Sequence, residues 1–296
     1  MDLASLAIFR TVARELSITR AAQQLGRVPS NVTTRIQQLE EELGVVLFER
    51  DRKRFSLTAQ GELFLDYADR LLNLAEEAQQ VLKPAAPTGV LRIGSMECTV
   101  ASRLPLPLAR FHQQWPDVRL EISTSPSRQL IDAVRKRRLD CALVALPPGD
   151  GEPDPEEIET WPVFREELVL LLPPGHVPVN GPADLAPRSL AAFVPGCTYR
   201  GMAEDWLSAD GSMPVGFRVQ DVSSYHAMLA CVSSGSCISV MPRSVLELMR
   251  HAAPVKEKPF ATVDTALVWR RGFDTPAFAA WRETLVGSSD IVGEGL

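Results

Sequence analysis

Residues 18–43 constrain the fold more than any other stretch of the chain. They predict a short helix, a turn at Gly26 and a second helix that begins at Pro29. Proline at the first position of a helix loses no hydrogen bond, because the N–H there has no intrahelical acceptor. Within the second helix, apolar residues recur at spacings of four, three and four: Val32, Ile36, Leu39 and Leu43. We expect this single apolar stripe to face the domain core, and together with the tight turn it predicts a helix-turn-helix.

The second helix carries short polar side chains outside its apolar stripe. In a helix-turn-helix this element enters the major groove, where hydroxyl and amide groups hydrogen-bond to base edges. We therefore expect DNA contacts from the following residues: Pro29, Ser30, Asn31, Thr33, Thr34, Arg35, Gln37 and Gln38. The alternative is an ordinary amphipathic helical pair whose polar face meets only water.

A basic segment follows the second helix. Gly44 is a helix stop, and residues 45–58 predict a two-stranded wing with a charged tip. We expect the basic side chains of this wing to lie beside DNA phosphates: Arg50, Arg52, Lys53 and Arg54. The alternative is a solvated charged loop.

Residues 1–60 resemble the DNA-binding domain of the LysR-type transcriptional regulators. The matching elements are Phe9-x-x-Val12-Ala13, Ser17-Ile18-Thr19-x-Ala21-Ala22-x-x-Leu25, Pro29-Ser30-x-Val32-Thr33-x-x-Ile36-x-x-Leu39-Glu40, Leu43-Gly44, Leu47-Phe48-x-Arg50 and Leu57-Thr58-x-x-Gly61. The resemblance implies an N-terminal, all-α winged helix-turn-helix domain that binds double-stranded DNA.

The charge distribution is compatible with DNA binding despite a net charge of −6. Residues 1–60 hold nine Lys and Arg against seven Asp and Glu, so the excess acid lies in the rest of the chain. The 296 residues suffice for two or three domains. The sequence shows neither a signal segment nor an apolar run long enough to span a bilayer, so we expect a cytoplasmic protein without a membrane partner.

Residues 59–83 predict one long helix, and Lys83–Gly89 predicts a hinge after it. Apolar residues along this helix follow the spacing of a coiled-coil seam: Tyr67, Leu71, Leu74, Ala78 and Val81. We expect dimerisation through this seam, although packing on its own chain is an alternative. The predicted domains are therefore 1–59 for DNA binding, 60–87 for the linker helix and hinge, and 88–296 for the remainder.

From Val90 onward, short predicted strands alternate with helices, which indicates α/β architecture with parallel sheets. One helix is predicted over Ala101–Gln114, a loop over Pro147–Glu159, and a second structural unit from near Trp161. The stretches Leu168–His176 and Val232–Pro242 resemble the effector-binding domain of the same family. The resemblance implies a two-lobed domain with the fold of type 2 periplasmic binding proteins, with lobe I at about 88–160 plus 266–296 and lobe II at about 161–265.

Such a domain implies a small-molecule effector held between the lobes, at strand ends and helix starts. The residues expected there are Ser95, Glu97, Cys98, Thr99, Ser125, Ser127, Tyr199, Arg200, Ser223, Ser224 and Tyr225. Glu97 suits an ammonium group and Arg200 suits a carboxylate, so an amino acid or a related amine metabolite fits the pair. The alternative is that both are surface charges with local partners.

The five cysteines give no metal or cofactor signal, because no pair has the C-x-x-C spacing. Two hypotheses remain for Cys231 and Cys237. They form a redox switch, or they have the commoner role of buried structural cysteines.

The leading hypothesis is a ligand-responsive transcriptional regulator that acts as a homodimer or homotetramer. An α/β enzyme with a DNA-targeting domain is an alternative, but no nucleophile elbow, phosphate-binding loop or zinc-protease motif occurs. A constitutive DNA binder with a vestigial cleft is the other alternative.

Overall fold

A computed structural model describes residues 1–51, 54–82, 86–147, 153–209, 211, 213–249 and 254–289. The chain forms two compact units, Met1–Pro84 with Lys136–Arg138 and Ala85–Arg135 with Leu139–Leu296. Within the described ranges, no helix combines the length and the apolar character that a bilayer crossing requires.

The N-terminal unit confirms the predicted pair of helices joined by a tight turn. Its elements are α1 (Leu3–Glu15), α2 (Ile18–Gln24), α3 (Pro29–Leu43), β1 (Phe48–Asp51), β2 (Arg54–Leu57) and α4 (Ala59–Val81). Gly26 turns the chain between α2 and α3 with a φ of +61°, a conformation that glycine adopts without strain. The stripe residues Val32, Ile36 and Leu39 are buried, as predicted.

Aromatic packing holds the N-terminal unit together. The Phe9 ring of α1 lies 5.4 Å from the Phe48 ring and 5.0 Å from the Phe64 ring. Phe48 also stacks on Phe55 across the antiparallel strands, with ring centroids 4.9 Å apart. These contacts place the two-stranded wing against the helical core.

The C-terminal unit alternates strands and helices, as predicted. Its first elements are β3 (Gly89–Ser95), α5 (Glu97–Ser102), α6 (Pro105–Gln114), β4 (Val118–Thr124), α7 (Ser127–Arg135), β5 (Cys141–Leu146) and β6 (Ile158–Leu172). The elements that follow are β7 (Ser189–Ala192), α8 (Thr198–Leu207), β8 (Arg218–Asp221), α9 (Tyr225–Ser233), β9 (Ser239–Pro242), α10 (Arg243–Leu248), β10 (Lys256–Arg270) and α11 (Pro276–Val286).

The sheets only partly follow the parallel arrangement that the sequence predicted. In the described part of the chain, the main sheet has the order β4-β3-β5-β10-β6-β9, and only its β3–β4 and β3–β5 pairs are parallel. The long strands β6 and β10 pair antiparallel along their whole lengths. Strand β5 pairs with one end of β10, and β9 pairs with the opposite end of the ribbon, on β6. The half of the sheet that contains β10, β6 and β9 is therefore antiparallel.

The predicted helix Ala101–Gln114 is confirmed from Pro105 to Gln114 and wrong before Pro105. Two helices, α5 and α6, occupy this region, and Pro105 begins the second of them. Proline lacks an N–H and disfavours helical conformation in the preceding residue, which explains the break near Leu104. The predicted start of a second structural unit near Trp161 lies inside β6. The predicted loop Pro147–Glu159 extends into β6, and its residues 148–152 lie outside the described residues.

Candidate nucleic-acid interface and ligand cavity

The outer face of α3 presents hydrogen-bonding side chains to solvent. A shallow depression is lined by Val28, Ser30, Asn31, Thr34, Arg35 and Gln38, all exposed. Pro29 and Gln37 are also exposed, whereas Thr33 is half-buried. The hydroxyl of Thr33 donates to the Pro29 carbonyl oxygen at 3.0 Å, so its only proton is already used within the helix. The structure thus brings most of the predicted base-reading residues to one surface.

Two of the predicted phosphate-binding residues lie in the strands of the wing. Arg50 is in β1 and Arg54 is in β2, where it pairs with Asp51 in the strand register. Arg52 and Lys53 lie outside the described residues.

Hydrogen bonds fix the wing to the neighbouring helices. The Glu40 carboxylate of α3 accepts hydrogen bonds from the backbone N–H groups of Leu47 at 2.7 Å and Phe48 at 3.1 Å. Thr58 caps α4 by accepting the Gly61 N–H, and its hydroxyl donates to the Val46 carbonyl oxygen at 2.8 Å. The orientation of the wing relative to α3 is therefore set by specific hydrogen bonds as well as by aromatic packing.

The seam residues predicted on α4 are all exposed. Tyr67, Leu71, Leu74 and Val81 expose 51%, 40%, 43% and 55% of their surface, and Ala78 is exposed with them. Leu63, four residues before Tyr67, is exposed as well. A continuous apolar stripe on an exposed helix is typical of an interface between copies.

The C-terminal unit contains a cavity of about 200 Å³ at the ends of strands β3, β4 and β7. It brings together seven of the predicted effector-binding residues: Glu97, Cys98, Ser125, Ser127, Tyr199, Ser223 and Tyr225.

Six more residues line the cavity and were not among the predicted site residues: Met96, Thr124, Pro126, Phe193, Val194 and Cys197. Four of them lie within two residues of a predicted one, so the strand ends and helix starts already pointed to them. The other two, Phe193 and Val194, directly follow β7. The rule that ligands bind where strands end could have found this pair as well.

Four predicted residues do not line this cavity. Ser95 and Thr99 are buried outside its lining, and the Ser224 hydroxyl caps α9 by accepting the Ala227 N–H at 3.2 Å. The fourth residue, Arg200, is already engaged within the protein.

The Arg200 guanidinium bonds to Glu204 at 2.8 Å, to Asp221 at 2.6 Å and to the Phe193 carbonyl oxygen at 2.9 Å. Two carboxylates therefore neutralise the cation that the sequence offered to a ligand carboxylate. This outcome matches the alternative of a charge with local partners.

The electrostatics of the cavity centre on Glu97. Burial raises the pKa of the Glu97 carboxyl, and the nearby charge of His226 opposes that shift. Burial also raises the pKa of Cys98 to about 11, despite hydrogen bonds with Tyr199, Tyr225 and Thr99. The pKa values of both tyrosines are raised far above their usual range, again mainly by burial. Near neutral pH these thiol and phenol groups are uncharged, so the cavity combines one carboxyl group with neutral hydroxyl, thiol and aromatic surfaces.

The aromatic wall of the cavity is preorganised. The rings of Phe193 and Tyr225 meet edge to face, with centroids 4.9 Å apart and planes at 86°. The Cys98 thiol donates to the Tyr199 oxygen at 3.8 Å and so links α5 to α8. No group of three or more His, Cys, Asp or Glu side chains suited to a metal ion occurs in the part of the chain that the structure describes.

Two family descriptions match this chain. Residues 3–62 match the bacterial regulatory helix-turn-helix proteins of the lysR family, and residues 84–289 match the LysR substrate binding domain. Together the matches cover most of the chain.

Curated relatives agree with these matches. An uncharacterized HTH-type transcriptional regulator, YusT of Bacillus subtilis, is 37% identical over 86% of this chain and 82% of its own length. The HTH-type transcriptional regulator GltR of the same species is 32% identical over 95% of both chains. These relatives are named as transcriptional regulators, which supports the predicted regulator over the alternative of an enzyme.

Solved structures show the same fold over nearly the whole chain. A full-length OxyR variant from Pseudomonas aeruginosa has a TM-score of 0.70 and 25% identity, covering 97% of this chain and 94% of that one. Full-length CbnR complexed with its target DNA has a TM-score of 0.68 and 23% identity, covering 98% of this chain and 100% of that one. The predicted fold class, an N-terminal helix-turn-helix domain followed by a two-lobed α/β substrate-binding domain, is confirmed. The chain belongs to the LysR family of bacterial transcriptional regulators.

Proposed function

We propose that this regulator reads DNA through the exposed face of α3, pairs with a second copy through α4, and responds to a small amine bound at Glu97. Residues 1–59 would serve DNA binding, 60–87 association and 88–296 effector binding. The proposed effector class rests on one combined observation. Glu97 lines the cavity, whereas Arg200 is already neutralised by two carboxylates.

The proposed DNA contacts divide into two groups. Hydroxyl and amide groups that match base edges in the major groove come from Ser30, Asn31, Thr34, Gln37 and Gln38. Basic side chains that would neutralise phosphates, and supply affinity that does not depend on sequence, come from Arg35, Arg50, Arg52, Lys53 and Arg54. Pro29 would fix the first turn of α3, and Thr33 would act through its methyl group, because its hydroxyl is engaged within the helix.

The apolar stripe of α4 supports a homodimer, or a homotetramer assembled from such dimers. Its residues are Tyr67, Leu71, Leu74, Ala78 and Val81, spaced by four, three, four and three. A second stripe of the same kind would exclude water from both. Two copies would then present two α3 helices to a palindromic site.

Coulomb energies favour a cation over an anion in the cavity. At about 4 Å and an effective dielectric constant of about 20, two unit charges interact with about 4 kcal/mol. A ligand carboxylate beside ionised Glu97 would meet repulsion of that order, whereas an ammonium group would gain attraction. The rings of Phe193 and Tyr225 add surfaces that favour a cation. The sequence suggested either an amino acid or a related amine as the effector. The charge of the cavity favours the amine.

Binding between the lobes would couple the effector to DNA. Glu97 and Ser125 follow strands β3 and β4, whereas Phe193 and Ser223 follow β7 and β8. A ligand that contacts both sets binds more tightly when they approach each other, so it shifts the population toward the closed arrangement.

Matched ligands test the proposed effector class. Phenethylamine and phenylpropionate have similar size and opposite charge, so calorimetric titration of each into the full-length protein isolates the effect of charge. Binding of the amine, weakened at least about tenfold in Glu97→Gln, is the expected result. Binding of the carboxylate but not the amine would contradict the proposal.

A further inference from the structure

Two cysteine thiols meet at a single amide side chain in the C-terminal unit. The Gln220 amide nitrogen on β8 donates to the Cys231 sulfur of α9 at 3.9 Å. The Cys237 thiol, just before β9, donates to the Gln220 amide oxygen at 3.4 Å. One side chain, Gln220, therefore contacts both sulfur atoms. Both sulfur atoms therefore lie in one cluster.

The backbone between the two cysteines folds back on itself. The Cys231 carbonyl oxygen accepts the Ser236 N–H at 3.3 Å and the Ser236 hydroxyl at 2.9 Å. Gly235 adopts a φ of +84°, which an L side chain rarely tolerates, and this reversal returns the chain to the end of α9. The Ser236 hydroxyl is also 3.5 Å from the Cys237 sulfur. The turn therefore holds the pair together before any bond forms.

The two thiols of this pair differ in accessibility. Cys231 is half-buried and open to small reagents, whereas Cys237 is buried with 1% exposure. Cys98 and Cys141 are buried, and Cys197 lines the cavity. The pair thus offers one accessible thiol with a second, protected thiol beside it.

We propose that Cys231 and Cys237 form an oxidative modification site, at which a peroxide converts the two thiols into a disulfide. The accessible Cys231 sulfur, as thiolate, attacks one peroxide oxygen and breaks the O–O bond, giving a sulfenic acid and releasing water or an alcohol. The Cys237 sulfur then attacks the Cys231 sulfur, the S–S bond forms and the hydroxyl group leaves as water. The two cysteines lose two protons and two electrons, and the peroxide is reduced by the same two electrons.

Oxidation would change the elements that support the ligand cavity. The disulfide removes the Cys237 S–H that bonds to Gln220 and to the Ser189 hydroxyl at 3.6 Å. Ser189 begins β7, which leads to Phe193 of the cavity, and α9 carries Tyr225 at its other end. The modification therefore acts on the second lobe, and it does not depend on which ligand the cavity binds.

The chemistry predicts a specific pH dependence. Burial is the main cause of the raised pKa of the Cys231 thiol, and the neighbouring Cys237 raises this pKa further. Near neutral pH most of this group is protonated and unreactive, and the thiolate fraction rises with pH. Disulfide formation by hydrogen peroxide should therefore be several-fold faster at about pH 9 than at neutral pH.

The test is hydrogen peroxide treatment of the full-length protein, followed by alkylation under denaturing conditions and mass spectrometry. We expect the alkylated thiols to fall from five to three, with a reducible link between Cys231 and Cys237. Cys231→Ser and Cys237→Ser should each abolish the link, while Cys197→Ser, a control at another half-buried cysteine, should retain it. A link that maps to other cysteines, or five thiols still alkylated after prolonged treatment at about pH 9, would overturn the proposal.

Discussion

The Glu40 carboxylate near the end of α3 accepts the backbone N–H of Leu47 at 2.7 Å. The same oxygen accepts the Phe48 N–H, at the first residue of the wing. One side chain thus ties the helix that carries the proposed base contacts to the strands that carry the proposed phosphate contacts. A cluster of acids at Glu40, Glu41 and Glu42 is unexpected beside DNA, and this contact explains its first member structurally.

Replacing Glu40 by alanine should destabilise the N-terminal unit. Two backbone N–H groups on buried residues would lose their acceptor, and each such loss costs about 1–3 kcal/mol. Urea unfolding of the full chain, followed by circular dichroism, measures the effect. The exposed neighbour Glu41→Ala is the matched control and should change stability little. Equal stabilities of the two variants would show that the contact is dispensable.

Gly61→Ala should destabilise the same unit for a steric reason. A Cβ added at Gly61 would lie 2.1 Å from the Leu47 carbonyl oxygen, so α4 and the wing must move apart. Gly201→Ala provides the control, because Gly201 lies inside α8 with no atom within 4 Å of the added Cβ. Helix propensity predicts that Gly201→Ala gains up to about 1 kcal/mol. Thermal unfolding should therefore show opposite shifts, and a Gly61→Ala protein as stable as wild type would contradict the packing described.

The N-terminal fold was predictable because its signals are local. Gly26, Pro29 and the spacing of Val32, Ile36 and Leu39 each specify a backbone conformation or a buried face within a few turns of helix. The antiparallel pairing of β6 with β10 was not predictable in this way, because about a hundred residues separate the partners. The break between α5 and α6 was predictable in principle, since Pro105 marks it.

Charges placed in the α4 stripe should disrupt association. The double substitution Leu71→Glu and Leu74→Glu would bury four carboxylates in a symmetric pair of helices, which is strongly unfavourable. Sedimentation velocity should show smaller species than the wild type at the same concentration. Gln79→Glu, at an exposed polar position of the same helix, controls for added charge and should assemble normally. An unchanged oligomer in the double variant would place the interface elsewhere.

Amine binding should weaken as the pH falls. The pKa of Glu97 is raised by burial, so the cavity carboxyl takes up a proton at a higher pH than an ordinary glutamate. The carboxylate that attracts an ammonium group is therefore present above the raised pKa and is lost as the pH falls through it. Calorimetric titration of phenethylamine at about pH 5 and about pH 7.5 measures this loss.

Two variants make that pH test specific. Glu97→Gln should bind weakly at both pH values and show no pH dependence of this origin. Glu283→Gln, at an exposed position of α11, should behave as the wild type. A pH dependence that survives in Glu97→Gln would assign the titration to another group.

The cavity was only partly predictable. Strand ends and helix starts correctly indicated where Glu97, Ser125 and Tyr225 would meet. The role of Arg200 depends on Asp221, which lies on a strand that the sequence did not reveal, and on Glu204 one helical turn away in α8. A sequence shows which charges are present, but three-dimensional pairing decides which of them remain available to a ligand.

Fluorescence anisotropy with two duplexes tests whether the exposed face of α3 reads base sequence. One duplex is selected from a random library by the wild-type protein, and the other is an unselected duplex of equal length. We predict that Thr34→Ala and Gln38→Ala each lose about 1–3 kcal/mol on the selected duplex and little on the other. Gln113→Ala, exposed on α6, should match the wild type on both. If the two α3 variants bind the selected duplex as tightly as the wild type, these α3 side chains do not read the operator.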